Sequence, residues 1–106
     1  MTKTLEEISF TLILHSGNAR SFAMEAIQAA KTGAFEQAAE KLKEADAAFV
    51  TAHHGQTELL QQEAQGNEVT PSILLIHAQD HLMTSMTVKE MAVEMVELYQ
   101  RLPKGV

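Results

Sequence analysis

The chain is predicted to fold as an all-α, antiparallel three-helix bundle, and three observations predict it. Strong helix formers dominate the 106 residues, and only two prolines, Pro71 and Pro103, interrupt them. Apolar residues recur three and four positions apart, the repeat of one helix face. Glycine and polar clusters at Thr32-Gly33 and Gln65-Gly66-Asn67 then divide the chain into three long segments. The length corresponds to about one domain, taken as residues 1–106.

The first helix is expected from Thr4, because Thr4-Leu5-Glu6-Glu7 has the spacing of a capping box, and it runs to about Lys31. Gly17 lies inside it and is read as a kink or a close helix contact. The second helix spans Phe35 to Ala64, with Phe35, Ala38, Ala39, Leu42, Ala45 and Phe49 at helical spacing and a poorly capped start. For the third, Thr70 is the expected N-cap and Pro71 the first helical residue, with an end near Leu102 before Pro103. Helices of this size are roughly 40 to 48 Å long at the α-helical rise. A bundle so thin has much side surface for its volume, which predicts self-association.

Composition narrows the chemistry. The formal net charge of −6, with no cluster of Lys and Arg, argues against binding to nucleic-acid backbones. No apolar run approaches the roughly 18 residues of a membrane span, and MTKTLEEI lacks the pattern of a secretory signal, so a cytoplasmic protein is expected. The absence of cysteine removes thiol nucleophiles, Cys-ligated zinc and iron–sulfur clusters. His, Asp, Glu, Ser and Thr remain.

These converge in LIHAQDHLM, residues 75 to 83, where ionisable side chains interrupt an apolar helix. On a helical wheel, Leu75, Ala78, Leu82 and Met86 share one apolar arc, while Ile76 and Met83, flanked by Thr87, form a second. The third helix is therefore expected to be covered on two sides, by its own bundle and by another subunit. His77, His81, Thr84 and Val88 occupy a strip between the arcs, and Asp80 leans into the second one. A carboxylate at an apolar contact is costly unless it is paired, protonated or metal-bound.

The run His77-Ala78-Gln79-Asp80-His81-Leu82-Met83-Thr84, with His15-Ser16-Gly17-Asn18-Ala19-Arg20-Ser21 in the first helix, resembles the enzyme IIA component of the lactose/cellobiose (including diacetylchitobiose) class of the bacterial sugar phosphotransferase system. Ala52-His53, Gln56-Thr57-Glu58 and Glu97-Leu98-Tyr99 extend the likeness over nearly the whole chain. It implies a homotrimer of three-helix subunits, nine helices in all. It also implies that His77 accepts a phosphoryl group from the phosphocarrier HPr and passes it to a cysteine of enzyme IIB, for uptake of a β-linked disaccharide. Asp80 matches the family's aspartate on the threefold axis, where three copies hold a divalent metal, usually magnesium. Asn18 stands where aspartate is expected, and Ala34 where an Asp or Asn cap is commoner.

Elementary chemistry accords with these roles. A neutral imidazole has a free ring nitrogen for in-line attack on phosphorus and can leave again, so histidine suits reversible transfer. Phosphoryl transfer depends on positioning and charge stabilisation, which makes nearby donors important. His81 and Thr84 are the nearest on the same helix, His81 reading equally as a histidine hydrogen-bonded into the seam; Gln79 points away and could act only from a neighbouring subunit. Three Asp80 carboxylates on an axis would repel, and either a hard cation or protonation would relieve them. His15, His53 and His54 read as core or surface histidines, and the six methionines as gap-fillers.

Two other readings follow from the residues. His54-x-x-x-Glu58 and His77-x-x-x-His81 set potential ligands one turn apart on two helices, as in a hemerythrin-like di-iron bundle, although that site needs a fourth helix and the third is followed only by Pro103-Lys104-Gly105-Val106. Gly33-Ala34-Phe35-Glu36-Gln37-Ala38, with Leu42 and Ala45, echoes half of a tetratricopeptide repeat, which would make the chain a non-catalytic interaction module; no second copy follows.

Overall fold

A computed structural model describes residues 4–103; the ends of the 1–106 domain reading lie outside them. Three helices follow in order, α1 (Leu5–Lys31), α2 (Phe35–Ala64) and α3 (Ile73–Arg101). They form a rod with extents of 57 × 22 × 19 Å. The central member is α1, which packs along both others, whereas α2 and α3 touch each other sparingly.

Local chemistry fixes most helix ends. Thr4 caps α1, its hydroxyl accepting from the Glu7 amide at 3.1 Å, and Glu6 and Glu7 lie at the positive end of the helix dipole. Ala34 offers no side-chain cap to α2, as its sequence suggested. Both turns use one device. At the end of α1 the Gly33 amide donates to the Ala30 carbonyl and the Ala34 amide to Ala29; at the end of α2, Gly66 donates to Glu63 and Asn67 to Gln62. These are Schellman closures, and they require the left-handed backbone seen at Gly33 (φ 81°) and Gly66 (φ 89°).

The start of α3 departs from expectation. The cap is Ser72, whose hydroxyl accepts from the Leu75 amide at 3.1 Å, and the helix begins at Ile73. Thr70 and Pro71 remain outside it. Ser72 suits a cap as well as Thr70 does, and with residues 69–71 outside the helix the Val69 side chain packs against the core.

The Gly17 expectation is also corrected. The helix runs through it, and beyond its chain neighbours and its own helix backbone no atom comes within 4 Å of where a Cβ would stand, so no other helix approaches closely there. The close approach is at Gly55 in α2, where a Cβ would lie 3.6 Å from Ile8 Cγ2 and 3.7 Å from Leu12.

Core chemistry changes along the rod. Ile8, Leu12, Phe49, Leu59, Leu75 and Leu82 concentrate large side chains at one end. The remainder of α1 presents buried alanines, Ala19, Ala23, Ala26 and Ala30, which let neighbouring helices come close. Ion pairs tie the flanks: Lys89 to Asp46 at 2.8 Å across α2 and α3, and Lys41 to Glu25 at 2.9 Å across α1 and α2. The hydrogen bond that Lys41 donates to Glu25 holds its ammonium above the usual lysine range against a desolvation cost, and Glu44 raises it further. The end rich in large side chains carries the first turns of α3, so LIHAQDHLM rests on the part of the core built from the largest side chains.

Candidate functional site

Leu75, Ala78 and Leu82 are buried against α1 and α2 and set the rotation of α3, which turns His77 outward. His81, one turn on, is half-buried. The two imidazoles meet edge to face, with centroids 4.6 Å apart and planes at 82°. An exposed imidazole can act as a nucleophile, and a neighbouring ring N–H can donate to a group it carries.

The other expected residues separate around the helix. Thr84 donates its hydroxyl to the Asp80 carbonyl at 2.8 Å, which ties it to the backbone. Gln79 is half-buried, and its side-chain oxygen accepts from Gln56 Nε2 of α2 at 2.9 Å. Asp80 is exposed and forms no ion pair among the described residues. It lies with Ile76 and Gln79 at a groove of about 290 Å³ whose walls include Leu59, Leu60 and Val69.

The two arcs expected on α3 are both present. Leu75, Ala78 and Leu82 are buried with Met86 partly so, while Ile76 and Met83 are each 56% exposed. The exposed side continues as Ile73, Met91 and Leu98, giving an apolar stripe along the whole of α3 with Asp80 inside it.

The remaining histidines stand apart. His53 is half-buried in a groove between α2 and α3 beside Phe49 and Met86, and His54 faces a separate groove between α1 and α2 with Glu58 and Thr51. Among the described residues no three His, Asp or Glu side chains converge to hold a metal ion, so His54, Glu58, His77 and His81 do not assemble the set that a di-iron centre needs. A single Asp80 likewise makes no metal site. An unpaired, exposed carboxylate does suit a hard cation where several copies are brought together.

Gln56 was legible only as part of a sequence likeness. Its partner lies 23 positions away on another helix, and no local pattern marks such a pair.

Comparison with known proteins bears on the family and the fold. The family described as "PTS system, Lactose/Cellobiose specific IIA subunit" matches residues 7–100. The lichenan-specific phosphotransferase enzyme IIA component of Bacillus subtilis is 53% identical over 102 residues, covering 96% of this chain and 93% of its own. The crystal structure of the cellobiose-specific enzyme IIA from Bacillus anthracis superposes with a TM-score of 0.91 at 56% identity, covering 95% of this chain and 93% of that one. A chain from the solution structure of the IIA(chitobiose)–HPr complex of the Escherichia coli phosphotransferase system gives a TM-score of 0.81 at 39% identity, over 94% of this chain and 97% of that one. Among the described residues, no helix is long and apolar enough to cross a membrane.

Proposed function

Because this chain belongs to the lactose/cellobiose-specific IIA family of the sugar phosphotransferase system, we propose that it is a cytoplasmic phosphocarrier acting through a phosphohistidine on His77. The observation that carries the reading is His77 itself, an exposed imidazole on a core-anchored turn with a second imidazole against its ring.

In the forward step a ring nitrogen of His77 attacks the phosphorus carried by HPr. The new N–P bond forms as the bond to HPr breaks. In the second step a cysteine thiolate of enzyme IIB attacks the same phosphorus, the N–P bond breaks, and His77 returns to its starting form. No sugar need touch this subunit. The likeness to a chain solved in complex with HPr supports that donor. Relatives named for lichenan and cellobiose support a β-linked saccharide as the cargo, here a disaccharide.

His81 would donate to the transferred phosphoryl group, in keeping with its place one turn from His77. Gln79 would act in the same way, but from an adjacent subunit, because it leaves α3 on another side. The working form is a homotrimer that covers the apolar stripe of α3, and three Asp80 carboxylates meet within it. A divalent cation, magnesium by preference, would offset their mutual repulsion.

The test is incubation with phosphoenolpyruvate, enzyme I and HPr, followed by intact-mass measurement at mildly alkaline pH. A phosphate-sized gain is expected that is acid-labile and absent from His77→Gln, while His15→Gln and His54→Gln are still labelled. No gain with active partners would sink the reading and favour a non-catalytic helical module.

A further inference from the structure

We propose that Gln56 is a positioning residue for phosphoryl transfer: its side-chain amide holds the Gln79 carboxamide with the oxygen turned inward and the nitrogen presented outward as a donor. The proposal rests on the phosphocarrier reading and on Gln79 serving the partner subunit's His77.

A glutamine side chain carries an acceptor and a donor on one planar group, and its terminal torsion turns easily. A phosphoryl group presents only acceptors. A free Gln79 would offer it either a donor or a repelling oxygen. In the arrangement seen here Gln56 Nε2 donates to Gln79 Oε1 at 2.9 Å across a part-buried gap, which engages that oxygen. The Gln79 NH2 is then the group left to act, at the groove rim beside Ile76 and Asp80. This is the sole hydrogen bond between two neutral side chains among the described residues, and it crosses the sparsely packed seam between α2 and α3. A purely structural pin would have the same geometry, so the test must read chemistry and stability separately.

Gln56→Glu makes the separation. Glutamate keeps the shape but can only accept, so it draws the Gln79 NH2 inward and turns the oxygen toward the phosphoryl group. The expected result is an unchanged subunit mass in solution and a melting temperature close to that of the unaltered protein. Transfer from phospho-HPr should meanwhile fall about tenfold, the scale of one lost hydrogen bond to a charged group. Gln56→Lys, which restores a donor to Oε1, should recover much of that rate. In a Gln79→Ala background, Gln56→Glu should cause no further loss. Should Gln56→Glu fail to fold, Gln56→Met, which removes the donor without adding charge, carries the same comparison. A labelled protein whose Gln56→Glu form transfers at the full rate would overturn the proposal alone, as would an equal loss with Gln79 absent. A protein that takes up no phosphate would overturn the phosphocarrier reading beneath it.

Discussion

Single positions in this rod gain their meaning from which neighbour they face. Gly17 and Gly55 are both helical glycines, yet only Gly55 lies against another helix. A Cβ there would stand in ordinary van der Waals contact with Ile8 and Leu12, and Gly55 has no positive φ to protect. Alanine also loses less backbone entropy than glycine on folding. Gly55→Ala is therefore expected to stabilise the protein by about 0.5–1 kcal/mol in chemical denaturation; a loss of stability would mean that α1 cannot accept even a methyl group at that level. The same reasoning by contact explains His77 and His81: sequence spacing placed them on one strip, and the fixed rotation of α3 brings their rings to 4.6 Å.

Among the elements, α3 depends most on a single cap, because its first turns carry the candidate site. Ser72 satisfies the Leu75 amide, whereas Thr70 lies outside the helix. Ser72→Ala should cost about 1 kcal/mol, the usual cost of a lost N-cap, and Thr70→Ala close to nothing. Paired thermal melts would reveal the difference, and equal losses would show that residues 70–72 share the capping role. The Ser72 loss should also appear as faster amide exchange in the first turn of α3, around Leu74 to His77, since fraying begins at an uncapped end.

The whole molecule is long and narrow, and that shape leaves Ile73, Ile76, Met83, Met91 and Leu98 on one exposed side of α3. A stripe of this extent fits a surface that other copies cover. Asp80 within it gives the proposed trimer a signature. Asp80→Leu should preserve assembly, by replacing repelling carboxylates with apolar contact, while Asp80→Lys should weaken it. Light scattering reads both; an unchanged mass for the lysine variant would remove Asp80 from the axis.

What the sequence determined by itself was, apart from the start of α3, what is set within about one helical turn: three helices, both ends of α1 and α2, the two glycine-closed turns, and the two apolar arcs of α3. Caps, left-handed glycines and the helical repeat act between near neighbours, so they can be read without knowing the fold. The likeness of LIHAQDHLM to a known family extended that reading to the candidate site. Only the tertiary structure decided between Thr70 and Ser72, between Gly17 and Gly55, and whether Gln79 had a partner. Each of those outcomes turns on side chains distant in sequence, namely Val69 on the core, Ile8 and Leu12 over Gly55, and Gln56 across from Gln79. Such contacts exist only after the helices pack, because packing alone brings residues from separate helices to within van der Waals or hydrogen-bonding distance.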